Sequence, residues 1–252
     1  MTGWIELDGL DNLRDLGGLR TSGGAEIVPG RLWRSDNLQS LTAADVSRLH
    51  DLGLSDVVDL RSGFEIRSEG PTPLAGQGWV TYHWHSLVPE EEEQLPDAAV
   101  PLPEDASTLL ADPVAASYLG YITERPRAIL DAMRVVGTAH GAALVHCAAG
   151  KDRTGTVVAL ALGALGVARD DIVADYALTT ERIGPVVERM RQARTYTGRL
   201  DDVPLEMFHA RPEVMAALLD VTDDVWGGVG PLLTAMGWSA ADQNALEDRL
   251  LG

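Results

Sequence analysis

A single cysteine among 252 residues removes two kinds of chemistry at the outset. No disulfide can form within the chain, and no redox cycle that needs a resolving thiol on the same chain can run. Lysine is just as scarce: of the 20 basic residues, Lys151 is the one lysine and the other 19 are arginine. No apolar run reaches the roughly 18 to 20 residues that a membrane-spanning helix requires. The opening stretch around Trp4, Ile5 and Glu6 lacks a basic start and an apolar core, so no signal peptide is expected. A cytoplasmic protein is the expectation, with secretion by a route that needs no such signal left open. Positive charge is short overall. A formal net charge of −18 works against attraction to nucleic acid or to an anionic membrane. Neither nucleic-acid binding nor stable membrane association is expected, although phosphate can still bind where basic groups and backbone amides gather locally.

What is present is an ordinary balance for a folded chain, with 45% hydrophobic and 23% charged residues. Strand signals occur at 32–34, 57–60 and 79–84, where β-branched and aromatic residues concentrate. Between them Thr42 and Asp45 have the spacing of a helix N-cap and its reciprocal partner, and Gly53 stops that helix. An acidic, proline-rich stretch at about 88–105 cannot bury a core and reads as a surface loop. Beyond it Asp112-Pro113 opens a helix that Pro126 divides and that ends near Gly137. A short apolar strand at 142–145 leads directly into His146-Cys147, and a helix of small apolar residues follows at 154–165. The remainder reads as helical, at 169–178, 185–194, 212–221 and 239–251. Strands alternating with helices over the first two thirds predict an α/β fold, a mainly parallel central sheet flanked by helices with a helical C-terminal third. No internal repeat or linker divides the chain, so 1–252 is expected to be one domain.

The one thiol and the one ammonium sit four residues apart in His146-Cys147-Ala148-Ala149-Gly150-Lys151-Asp152-Arg153-Thr154-Gly155. A strand-to-helix turn of small residues points successive N–H groups inward and builds a nest for a dianion. The positive end of the following helix adds to that field. Ala148, Ala149 and Gly150 are small enough for phosphate to approach the backbone. The same field and the nearby cations favour thiolate over thiol, which makes Cys147 a candidate nucleophile. Arg153, six residues on, has the planar fork that holds two phosphoryl oxygens, a geometry lysine lacks. The Thr154 hydroxyl is placed to donate to the sulfur or to the bound phosphate, and Lys151 adds charge that suits a multiply phosphorylated substrate. A departing oxygen needs a proton, for which Asp152 is the first candidate and Asp59, at the end of a strand, the second. A lone cysteine after an apolar strand is more often a buried structural residue. A nucleotide phosphate loop is ruled out because no Ser or Thr follows Lys151. With Arg153 and Thr154 in register, the catalytic reading prevails.

These residues resemble the Cys-x5-Arg signature of the cysteine-dependent protein tyrosine phosphatase superfamily. The run Gly150-Lys151-Asp152-Arg153-Thr154-Gly155 is similar to that of the bacterial tyrosine phosphatase family typified by a mycobacterial member. The likeness extends to Asn12 through Gly18, Gly30 through Ser35, Asp59 through Ser62, Ile172 through Tyr176 and the final Leu250-Leu251-Gly252. It implies Cys147 as nucleophile, Arg153 as phosphate binder and Asp152 as an acid within the loop. Consistent with the last point, the chain has no Trp-Pro-Asp sequence. It also implies phosphotyrosine proteins as substrates, with phosphoserine, phosphothreonine or phosphoinositides as further possibilities, inorganic phosphate as product, and no metal or other cofactor. A helical lid is implied within about 181–212.

That segment holds Arg182, Arg189, Arg191, Arg194, Arg199 and Arg211, read as a solvated helix face in preference to cations aimed at substrate. Asn12, Arg14 and Asp15 read as a buried polar network under the loop, and His83 and His85 as structural or surface residues, since further metal ligands are missing. Two rivals remain from other classes: a non-catalytic module that captures phosphorylated ligands, and sulfur or arsenate chemistry on a similar loop. A phosphoinositide phosphatase is the alternative at the level of substrate.

Overall fold

In a computed structural model that describes residues 3–89, 100 and 111–252, the apolar run before the cysteine lies near the middle of a six-stranded sheet. Six strands are described: β1 (Gly3–Trp4), β2 (Arg14–Asp15), β3 (Leu32–Ser35), β4 (Leu54–Asp59), β5 (Thr81–Trp84) and β6 (Ala142–His146). Their order is β1-β2-β3-β6-β4-β5; β3, β6, β4 and β5 are mutually parallel, and β1 and β2 add an antiparallel edge. The expected mainly parallel sheet is therefore present. The acidic stretch at 88–105 falls almost wholly outside the described residues.

β6 is buried along its whole length, as a central strand covered on both faces must be. Side chains alternate across it: Ala143 and Val145 join the larger apolar core, Ala142 and Leu144 the smaller one on the opposite face. Burying a side chain such as Leu144 or Val145 is worth ~1.5–3 kcal/mol. Alternation carries into the next two residues. His146 continues on the side of Leu144, and Cys147 falls with Val145 in the larger core.

Helices described are α1 (Ala43–Asp51), α2 (Gly63–Glu69), α3 (Pro113–Glu124), α4 (Pro126–Thr138), α5 (Asp152–Ala164), α6 (Arg169–Gln192), α7 (Pro212–Trp226), α8 (Val229–Met236) and α9 (Ala240–Leu250). Thr42 and Asp45 form the expected reciprocal cap of α1, Asp112 caps α3, and Pro126 starts α4. None of the helices among the described residues is long and apolar enough to cross a membrane.

The structure departs from the sequence reading in three places. Residues 169–178 and 185–192 belong to one 24-residue helix, α6, with Pro185 inside it, and the expected second helix ends two residues early. Proline removes one helical N–H; here Ile183, Val186 and Val187 flank it, all buried in an apolar cluster with Ala149 of the cysteine loop. Packing of that face holds the helix through the proline. α8 is the second departure: it is short and ends at Gly237, whose φ of +102° is left-handed. The third is α2, which has a reciprocal Ser62–Glu65 cap and brings two glutamates to the site.

Candidate active site

Parallel strands place their carboxyl ends on one edge, where α/β folds build their sites. β3 ends there in Ser35, followed by Asp36 and Asn37; β4 ends in Asp59, and β6 delivers His146 and Cys147. The loop 147–151 then turns into α5, whose positive end faces it.

The turn is held open from outside. The Ala148 carbonyl accepts from the Asn37 N–H at 3.0 Å and the Ala149 carbonyl from Asn12 Nδ2 at 3.0 Å. The Gly150 carbonyl accepts from Arg34 at 2.8 Å. With the carbonyls drawn outward, the N–H groups are left to the inside, joined by the unpaired first N–H groups of α5. Gly150 has φ +67°, and a Cβ there would lie 2.4 Å from the Ser35 carbonyl oxygen, so only glycine fits.

Below the turn lies a buried charged link. Asp175 accepts from Arg14 at 2.8 Å and from Arg34 at 2.5 Å, and Arg14 donates to Asn12 at 2.5 Å. Asn12 and Arg14 are thus part of the structural network expected of them. Asp15 belongs elsewhere, receiving the Gly17 and Gly30 N–H groups and shaping that turn. Burial brings Arg14 down to about 10, still charged at neutral pH. Two guanidiniums against one carboxylate leave positive charge directly beneath the nest.

Cys147 is buried, and its thiol is unpaired with any other cysteine. Arg153 makes a two-pronged ion pair with Glu65 of α2, at 2.6 and 2.9 Å. Glu65 also accepts from Tyr196 at 2.7 Å and from the Ser62 N–H at 2.8 Å. Burial opposes charge on Glu65, but Arg153, Tyr196 and Ser62 bring its carboxyl down to about 2. The Thr154 hydroxyl is buried with no partner among the described residues, an open donor in the loop.

Asp152, one third exposed, receives the Tyr118 hydroxyl at 2.5 Å, which in turn pairs with Tyr176 at 2.7 Å. Burial pushes the Tyr118 hydroxyl far up, so it stays a donor. Lys151 Nζ stands 3.5 Å from Asp152 and donates to the Phe208 carbonyl at 3.0 Å. Asp59 lies on the other side of the loop, fully buried. Arg61 donates to it through Nε and Nη2, and Tyr82 adds a bond at 3.1 Å. Burial opposes its charge, yet His146 and the Arg61 fork bring it to about 2.

Residues 181–212 cover the loop. Ile183, Val186 and Val187 pack on Ala149, Phe208 receives Lys151, and Tyr196 reaches Glu65. Of the six arginines of this segment, Arg194 and Arg199 are exposed as expected, and the other four have partners. Arg182 pairs with Glu6 and stacks on Trp4, Arg189 with Asp11 and Asp36, Arg191 with the Leu200 and Val203 carbonyls, and Arg211 with Asp112. An acidic chain neutralises Arg182, Arg189 and Arg211 with its own carboxylates, and sequence spacing does not show partners that lie 99 to 178 residues away. His83 pairs with Asp56 and stacks near His85, and no cluster of potential metal ligands occurs among the described residues.

Sequence reasoning missed Glu65, Tyr196 and Tyr118. The Ser62-x-x-Glu65 cap was a signal available for the first, whereas nothing local marks the two tyrosines.

His146 carries a pH dependence. It is fully buried, and burial brings it down to about 4, with Asp59 pulling the other way. The unfolded chain therefore binds a proton near pH 6.5 that the folded chain refuses until about 4. Stability is fully present above pH 6.5 and falls as pH drops toward 4, by up to roughly tenfold in the folding equilibrium per pH unit. Denaturant titrations between pH 7 and 4 check this: His146→Gln should flatten that stretch of the curve.

A cysteine at the head of a strand-to-helix phosphate nest, on the carboxyl edge of a mainly parallel sheet, is the architecture of a cysteine-dependent phosphatase. The tyrosine phosphatase family model matches residues 5–252, and the chain belongs to that family. It is 32% identical over 284 residues to the triple specificity protein phosphatase PtpB of Mycobacterium tuberculosis, covering 98% of this chain and 99% of that one. A Cupriavidus necator protein with a provisional tyrosine-protein phosphatase name is 33% identical over 226 residues, covering 89% and 81%. A tyrosine-protein phosphatase of Nostoc commune is 28% identical over 222 residues, covering 86% and 73%. The chain is a tyrosine phosphatase by family and a phosphoric monoester hydrolase by reaction class.

Proposed function

We propose that residues 1–252 form one phosphatase domain that cleaves phosphotyrosine in proteins through a phosphocysteine at Cys147. Cys147 sulfur attacks phosphorus, the bond from phosphorus to the ester oxygen breaks, and Asp152 gives its proton to the departing oxygen. Water then attacks the phosphocysteine, Asp152 takes a proton from it, and inorganic phosphate leaves as the sulfur regains its electron pair. Arg153 spans two phosphoryl oxygens, and Ala148, Ala149, Gly150, Lys151 and Thr154 supply N–H groups, with the Thr154 hydroxyl close by. No cofactor enters this scheme. The observation that carries it is the loop after Cys147, whose three carbonyls are tied to Asn37, Asn12 and Arg34, which supports N–H groups left free for a phosphate.

Asp152 is preferred to Asp59 on accessibility and partners: it is part-exposed, whereas Asp59 is buried under the Arg61 fork. Lys151 is engaged with Phe208, which weakens its claim as a receptor for a second phosphate and favours phosphotyrosine over phosphoinositides. The segment 181–212 serves as the lid of the site. A working thiol without a disulfide partner suits a reducing compartment, and the cytoplasm is the proposed location.

Asp152→Asn tests the acid. Turnover of alkyl phosphates should fall by roughly 10²–10⁴-fold, and turnover of nitrophenyl phosphate, whose leaving group needs little help, by much less. Equal losses on both substrates, or none, would remove Asp152 from the role. Hydrolysis of nitrophenyl phosphate with and without a chelator separates an enzyme from a module that only binds phosphorylated ligands.

A further inference from the structure

We propose that a cavity of about 380 Å³ beside the catalytic loop is a subsite for a lysine or arginine side chain next to the phosphotyrosine of a protein substrate, with Glu69 as its acceptor. This rests on the phosphotyrosine reading above and names the neighbouring residue that the enzyme selects.

The cavity opens next to the site's own parts. Ala148, the residue after Cys147, lines it, and so does Tyr196, whose hydroxyl meets the glutamate that holds Arg153. A group placed there belongs to the same bound molecule as the phosphate. Glu69, the last residue of α2, is the feature without an explanation in the catalytic scheme. Its side chain is 5% exposed, and Oε2 accepts from Asn37 and lies 3.5 Å from Arg61. Oε1 is buried with no hydrogen-bond partner among the described residues. A buried carboxylate oxygen left open is unfavourable unless a donor arrives.

Charge and shape agree on which donor. Arg61 is shared by Asp59 and Glu69, so that group carries one more negative than positive charge, and His146 beside it is neutral near pH 7. Along one wall Val186, Met190 and Ala193 form an apolar surface on which the methylene stem of a basic side chain can lie, its charged head at Glu69. Arg189 and Arg194 also line the cavity, but Arg189 is held by Asp11 and Asp36, and Arg194 is exposed, where water and salt weaken its repulsion more than they weaken a buried carboxylate. A second phosphate group would instead meet the open Glu69 oxygen, while the Arg189 that could receive it is already held by Asp36 and Asp11.

The test uses matched phosphotyrosine peptides carrying Arg or Glu at the flanking positions, assayed with the intact protein. At fixed salt kcat/KM should favour the arginine peptides by on the order of tenfold, the size of one charge-assisted hydrogen bond. The net charge of −18 attracts cationic peptides from a distance, an effect that salt removes. The preference expected here persists at 0.5 M salt and falls toward unity in Glu69→Gln. Equal rates on both peptide sets, a preference lost at high salt, or a preference that survives in Glu69→Gln overturns the proposal. So does faster turnover of a multiply phosphorylated inositol than of the arginine peptides. Should Glu69→Gln fail to fold, as judged by its melting curve, the salt series on the unaltered protein still decides. Failure of the unaltered protein to hydrolyse nitrophenyl phosphate would instead count against the catalytic reading.

Discussion

Cys147→Ser is expected to lower turnover of nitrophenyl phosphate by a factor on the order of 10⁴ or more while phosphotyrosine peptides still bind. The sulfur is the atom that the scheme bonds to phosphorus, and a serine hydroxyl is a far weaker nucleophile in the same place. Nothing that holds the phosphate depends on it. Ala148, Ala149 and Gly150 keep their outward carbonyl bonds, Arg153 keeps Glu65, and the positive link under Gly150 is untouched. Steady-state rates together with calorimetric titration of a phosphotyrosine peptide give both halves of the result. A variant that retains near-normal rates would mean that the chemistry proceeds without a phosphocysteine.

Arg153→Lys should cost roughly 10²–10³-fold in kcat, the range seen when one donor aimed at transition-state charge is removed. Glu65 explains why conserving the charge is not enough. Its carboxylate, at about 2, is ionised at any working pH and holds the guanidinium by both terminal nitrogens. In the proposed scheme the donors of the guanidinium not taken by Glu65 are the ones that meet the phosphoryl oxygens. A lysine has one head group and would be drawn to Glu65, leaving the phosphoryl oxygens without their pair. Rates measured on nitrophenyl phosphate and the inhibition constant of inorganic phosphate would both register the loss. Unchanged rates would take the clamp role away from Arg153.

The catalytic loop was legible because its chemistry is local. Cysteine, small residues, arginine and a helix start lie within eight positions, and hydrophobic patterning gave the strand before them and the helix after. Caps that need only three residues, such as Thr42 with Asp45, were equally readable. The supporting parts were not. Glu65 reaches Arg153 across 88 residues of sequence, and Tyr196 reaches Glu65 across 131. No periodicity encodes such meetings. Pro185 misled for a related reason: a local rule against proline in helices gave way to packing on Ala149, a contact that the sequence does not display. Arg182, Arg189 and Arg211 are the same lesson in charge, since their partners Glu6, Asp11, Asp36 and Asp112 come from distant parts of the chain.

The link of Arg14, Arg34 and Asp175 also sets the order in which the molecule can be made. It ties residues 161 and 141 positions apart, and the bonds from Asn12 and Arg34 to the loop carbonyls span 137 and 116. During synthesis the first strands leave the ribosome long before their partners exist, so Arg14 and Arg34 must wait, solvated, until Asp175 emerges. Contacts of such range are slow to close because the chain gives up much loop entropy before it gains them. A chain interrupted before α6 has its nucleophile and the residues that hold the loop carbonyls, but lacks the Asp175 carboxylate that fixes Arg14 and Arg34 beneath them.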